Sequence, residues 1–155
     1  MTMRLLAPLG ISLALLATPS SAHIEQTQPL QSLRQSYFAL LGMTLAPMGD
    51  MVKGKIDWNA ELFASWARDL DAVAGFGVER GFAPGSEEGT TRAKPEIWLD
   101  MADFQSKLDN FRVAAAALAE VAGAGDDDAT REQFVATAGT CKACHDEYKA
   151  KDYLY

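Results

Sequence analysis

Cysteine and histidine are nearly absent from this chain, two of each in 155 residues. That scarcity excludes a disulfide-stapled scaffold and leaves few candidates for the four ligands of a structural zinc site. An excess of basic charge is missing as well: 14 Lys and Arg stand against 21 Asp and Glu, a formal charge of −7. Nucleic acid and anionic lipid are poor partners for such a surface, whereas cationic electron-transfer partners fit it. No alternating strand pattern runs through the sequence. Nor is there an apolar run long enough for a comfortable membrane span, since the stretch from Leu5 to Ala17 falls short.

That short run reads instead as the core of an export leader. Met1 to Ala22 combines one positive charge at Arg4, the apolar stretch, and the small residues Ser20-Ser21-Ala22 that suit signal peptidase. Removal of residues 1–22 is expected, leaving residues 23–155 as a single domain that begins at His23. Losing Arg4 takes the formal charge from −7 to −8.

Three of the four scarce residues gather in one pentapeptide, Cys141-Lys142-Ala143-Cys144-His145. C-x-x-C-H is the attachment signature of a c-type haem. The two thiols add across the porphyrin's vinyl groups, and the histidine that follows is placed to ligate the iron axially. A thioredoxin-like dithiol would need a βαβ context, which the sequence does not offer. Zinc would need more ligands than the chain has, because the remaining histidine is His23 at the mature terminus. A plain disulfide leaves His145 without a role. Covalent haem c also fits export, because it is attached outside the bacterial cytoplasmic membrane; a periplasmic location follows as the expectation.

Periodicity predicts an all-α fold of four helices. After Pro95, the residues Ile97, Met101, Phe104, Leu108, Phe111, Ala115, Leu118 and Ala122 recur at spacings of four and three, the mark of a bundle seam. Gly123 and Gly125 suit its end. An earlier helix carries Leu30, Leu33, Tyr37, Phe38, Leu41, Leu45 and Met48, with Pro47 expected to kink it or end it near Leu45. A second carries Leu62, Trp66, Leu70 and Val73, with Asp57 as expected N-cap. A glycine-rich loop runs from Gly75 to Gly89. The last helix opens on the capping-box pattern of Thr130 to Gln133 and continues through Phe134, Ala138, Cys141, His145 and Tyr148. Both thiols and the imidazole therefore share its inner face, so a haem attached there takes the place of core side chains between helices.

The chain resembles the cytochrome c′ family over residues 26–151. The resemblance is strongest from Gly139 to Lys149, where the haem motif sits near the C-terminus rather than near the start. Arg34 to Phe38, Thr91 to Trp98, and Phe111 to Leu118 are similar in the right order. The family implies an antiparallel four-helix bundle with one haem c, commonly assembled as a homodimer. It also implies that the first-helix residue over the iron is Phe38, which has no lone pair to give. On spacing alone Phe38 reads equally well as a core aromatic.

Under that resemblance the iron is five-coordinate and open to small neutral gases, nitric oxide and carbon monoxide, while polar anions meet no compensating hydrogen bonds. Arg34 and Gln35 are then placed beside the haem carboxylates, and Thr91 and Arg92 in a loop that also touches the haem. The alternative is a low-spin His/Met electron carrier of the same fold. Met43, Met48 and Met51 are near in sequence, although Met43, five residues after Phe38, faces well away from it. A turnover enzyme would need distal acid and base groups that Phe38 does not supply. Lys149 departs from the family's commoner arginine and brings a point charge without a planar fork.

Overall fold

The structure is a computed structural model that describes residues 28–154. The expected leader, residues 1–22, and His23 lie outside the described residues. Helices α1 (Pro29–Val52), α2 (Ala60–Ala74), α4 (Met101–Ala124) and α5 (Asp127–Tyr148) form an antiparallel four-helix bundle. The short helix α3 (Glu96–Leu99) precedes α4, and a 3₁₀ turn occupies Val78–Phe82.

Of the two outcomes expected at Pro47, a kink or an end near Leu45, helix α1 does not take the second. It continues to Val52 because Met48 and Met51 beyond the proline are buried, 0% and 2% exposed. A proline inside a helix costs about 3 kcal/mol. Burying two such side chains returns about 1.5–3 kcal/mol each, about 3–6 kcal/mol together, which matches or exceeds it.

Two caps fall elsewhere than the sequence suggests. Asn59, not Asp57, caps α2: its side chain accepts a hydrogen bond from the Leu62 amide at 2.9 Å. Asp126, not Thr130, caps α5, accepting from Ala129 N–H at 3.0 Å. With Asp127 and Asp128 in the first turn, this earlier start also complements the helix dipole. Thr130 is instead inside the helix and donates to the Asp126 carbonyl at 2.6 Å.

The long helix expected after Pro95 is broken at Asp100, which leaves helical geometry (φ −131°, ψ 65°) and caps α4 by accepting from Asp103 N–H. From Phe104 to Ala122 every expected seam residue is buried. The expected α2 seam holds at Leu70, with Trp66 and Val73 partly buried, but its centre shifts by one residue elsewhere. Phe63, Ala67, Leu70 and Ala74 are buried, and Leu62 is exposed. Gly125, left-handed at φ 82°, terminates α4 and turns the chain back within two residues.

The sequence shows no strand pattern, yet two strands form, β1 (Thr91–Ala93) and β2 (Lys149–Leu154). They pair antiparallel, with Ala93 opposite Lys149 and Thr91 opposite Leu154 across an irregular register. α5 passes directly into β2.

Helix α1 packs on α2, α2 on α4 and α4 on α5. The remaining seam, between α1 and α5, is closed only at one end. There Phe134 of α5 meets Phe63 edge to face at 5.9 Å and approaches Gly49 of α1. Trp58 stacks on Phe63 at 4.8 Å in the same layer.

Candidate haem-binding site

At the other end of that seam the helices part around a cavity of about 510 Å³. Its α1 wall is Gln31, Arg34, Gln35, Tyr37, Phe38, Leu41, Gly42 and Leu45, and its α5 wall is Thr140, Cys141, Cys144, His145 and Tyr148. Phe104, Lys107, Leu108 and Phe111 of α4 form the floor, and Thr91, Arg92, Ala93, Lys149 and Tyr153 of the ribbon close one side. All eight residues singled out from the sequence border this one space, though they come from α1, β1 and α5.

Cys141 and Cys144 are unbridged and half-buried. Burial pushes the Cys141 thiol above its ordinary value and that of Cys144 up to about 11, which disfavours both thiolates. His145 shifts the other way. Partial burial and then the charges of Lys149 and Arg92 push its pKa below the ordinary value, which favours the neutral ring with its nitrogen lone pair. Among the described residues no group of three or more His, Cys, Asp and Glu is placed to hold a metal ion.

The four polar positions differ in how free they are. Arg34 is 4% exposed and its guanidinium is already engaged. Nη1 donates to the Gly81 carbonyl at 2.5 Å and to Ser86 Oγ at 3.1 Å, and Nη2 donates to the Ser86 carbonyl at 3.0 Å. Its planar face lies over Phe82 at 5.1 Å and Trp98 at 5.6 Å. The 3₁₀ turn can come this close only because residue 81 is glycine: a Cβ there would sit 2.8 Å from Leu33 and 2.9 Å from Arg34. Gln35 is exposed at the cavity edge. Thr91 is buried and its hydroxyl accepts from Ala93 N–H, while Arg92 donates to the Ala150 and Lys151 carbonyls at 2.9 and 2.6 Å.

Lys107, Tyr148 and Tyr153 were not singled out as site residues. Tyr148 appeared in the sequence as a seam residue, and the structure adds that its hydroxyl donates to Asp103 at 2.6 Å. Lys107 joins the same knot, 3.3 Å from Asp103 and 3.0 Å from Glu147. Its position between Phe104 and Leu108 was the available signal. Tyr153 had none, because it depends on a strand without a pattern.

These residues fit a covalently held haem. An apolar slot separates two helices that otherwise pack, two thiols three residues apart stand on one wall, and an imidazole follows them. The chain matches a family model described as cytochrome C′ over residues 30–149. It is 32% identical over 138 residues to cytochrome c′ of Cereibacter sphaeroides, covering 87% of this chain and 92% of that protein. Solved structures agree. Cytochrome c prime from Shewanella frigidimarina is similar at a TM-score of 0.77 with 36% identity, covering 83% of this chain and all of that one. The nitric oxide complex of a single-residue variant of cytochrome c prime from Alcaligenes xylosoxidans is similar at 0.73 with 32% identity, again over 83% and 100%. The chain therefore belongs to the cytochrome c′ family, whose single covalent haem c is received here by Cys141 and Cys144.

Proposed function

We propose that this chain is a periplasmic monohaem protein whose iron takes His145 on one side and no protein ligand on the other. It binds nitric oxide and carbon monoxide and takes part in electron transfer. The observation that carries the five-coordinate reading is the make-up of the cavity wall. No methionine borders it: Met43 is 66% exposed, and Met48 and Met51 are buried in the closed part of the core. The His/Met alternative therefore lacks its ligand among the described residues. Facing α5 across the cavity are Phe38, Leu41, Gly42 and Leu45, none of which donates to a metal or to a polar ligand.

When bound, the haem supplies one redox-active iron able to take a diatomic ligand. The chain's own residues decide what reaches it. Phe38, 39% exposed and edge-on to Tyr37 at 5.1 Å, is a gate whose displacement admits a small neutral gas. From Phe38 to Leu45 an anion finds no donor among the wall residues. Arg34, Gln35, Thr91 and Arg92 would hold the haem carboxylates, with Arg34 contributing mainly charge because its donors are engaged by Gly81 and Ser86.

A binding protein rather than a turnover enzyme is supported by the same wall, which offers no acid or base group from Phe38 to Leu45. Periplasmic location rests on the leader-like residues 1–22. No helix among the described residues is long and apolar enough to cross a membrane. A homodimer belongs to this reading, and exposed Leu40, Met43 and Phe76 supply apolar surface for it.

Optical spectra of the purified ferric and ferrous protein, alone and with each gas, test the proposal. High-spin spectra that shift on adding nitric oxide or carbon monoxide are expected. Sharp, split low-spin bands in the reduced protein with no carbon monoxide response would overturn it.

A further inference from the structure

The chain is acidic as a whole, but one wall of its cofactor cavity is not. Arg92, Lys94, Lys149 and Lys151 lie along the β1–β2 ribbon and its edge, against a single acid, Asp152. Lys149 and Lys151 are exposed, and Arg92 and Lys94 are half-buried. None of the four is ion-paired among the described residues. Arg92 donates to the carbonyls of Ala150 and Lys151, and Lys94 to that of Glu147. Neutral acceptors of this kind fix a cation's place without cancelling its charge.

Three acids of the adjoining helices α4 and α5 are already engaged. Lys107 bridges the carboxylates of Asp103 and Glu147, and Lys142 pairs with Asp146. At physiological ionic strength charges are screened over about 8 Å. A partner touching the ribbon responds to this local cluster more than to charge distributed over the far side of the bundle.

We infer that the β1–β2 ribbon is the docking face for an acidic redox protein, opposite in sign to the partner that the chain's net charge suggests. The inference rests on the electron-transfer part of the proposed function and not on the coordination number of the iron. Arg92 and Lys149 border the cavity as well as the surface, so among the described residues the ribbon lies between a docked partner and the cofactor cavity on that side. One electron passes between the partner's redox centre and the iron. One side is oxidised as the other is reduced, and no bond forms or breaks.

Two measurements on the haem-loaded full chain test this. Acetylation of lysines by acetic anhydride, read by mass spectrometry at low ionic strength, should slow at Lys94, Lys149 and Lys151 when hexacyanocobaltate(III) is added. Lys53 and Lys55, on the loop between α1 and α2, serve as the control. Equal protection everywhere, or none on the ribbon, overturns the inference whether or not the protein transfers electrons. In the second, oxidation of the ferrous protein by hexacyanoferrate(III) should slow as ionic strength rises, and with tris(phenanthroline)cobalt(III) it should not. Lys94→Glu combined with Lys151→Glu should slow the anionic reagent roughly tenfold at low salt. A native rate that climbs with salt, as net repulsion demands, or a double variant that matches the native rate, overturns the docking face. Failure of both reagents to oxidise the protein would defeat the electron-transfer reading, with the acetylation pattern still deciding the ribbon.

Discussion

The two ends of the α1–α5 seam are built from the same pair of helices and have opposite fates. At one end Phe134 of α5 approaches Gly49 of α1, with Phe63 and Trp58 filling the layer. At the other, α5 presents Cys141, Cys144 and His145 where apolar knobs would close the gap, and about 510 Å³ is left between the helices. The closed end needs nothing from outside. The open end reaches core density only with a cofactor in it. The same seam is thus self-sufficient over one stretch and dependent on its prosthetic group over the other.

Loss of the cofactor tests that contrast most severely. At roughly 24 cal/mol per Å³ an unfilled space of this volume would cost about 12 kcal/mol, an upper bound because water enters it. That is comparable with the whole stability of a domain, roughly 5–15 kcal/mol. Cys141→Ala together with Cys144→Ala should abolish haem retention under denaturing conditions. Thermal unfolding of the resulting haem-free chain should begin far below that of the native protein. A haem-free chain that melts with the native midpoint would refute the dependence.

A matched pair of truncations then separates the two ends. Phe134→Ala should cost about 3–5 kcal/mol in denaturant unfolding, as a buried aromatic at the closed end, and leave carbon monoxide association unchanged. Phe38→Ala should do the reverse, costing under about 1 kcal/mol because the ring is already part-exposed, while gas binding accelerates. Stopped-flow carbon monoxide binding and urea melts on both variants decide it. Equal association rates would remove Phe38 as the gate.

The smallest effect lies behind the cavity, where Glu79 of the 3₁₀ turn meets Arg112 of α4 at 2.6 Å. Partial burial alone would raise the Glu79 carboxyl. Hydrogen bonds from its own backbone and from Arg112, with the charges of Arg112 and Arg80, outweigh that and hold it below the usual carboxylate value. A group with a depressed folded-state pKa stabilises fully above its unfolded value of about 4.3, and the contribution fades as pH falls through the lower folded value. Glu79→Gln should therefore flatten the acid side of the stability curve below about pH 4 and change little at neutrality. Parallel acid limbs in melts of the two proteins would show that the pair is inert.

Much of this was legible in the sequence where one residue's chemistry or a long period carried the signal. The α4 seam from Phe104 to Ala122 needed only spacing, and the haem motif only its five residues. Arg34, Gln35, Phe38, Thr91 and Arg92 became legible through the family resemblance, because no local pattern brings α1, β1 and α5 together. What stayed hidden was decided by competition between neighbours. Asp57 and Asn59, like Thr130 and Asp126, are both capable caps, and the choice depends on which start buries the better face. Leu62 and Phe63 compete in the same way for the α2 seam, and the larger aromatic takes the core. The ribbon is hidden for another reason: its pairing partners are more than fifty residues apart in sequence, and neither strand alternates.

The direct passage of α5 into β2 has a mechanical consequence. The helix that carries His145, the proposed iron ligand, is held at both ends: Asp126 and the tight Gly125 turn at its start, and at its finish the ribbon together with the Lys94 N–H bond to the Tyr148 carbonyl at 3.0 Å. A rod clamped at both ends neither slides nor rolls freely under load. It bows. Any pull that a bound cofactor would exert on His145 would therefore be met by the bending stiffness of about six helical turns, and the side chain's travel would be set by how far that rod can flex between its supports.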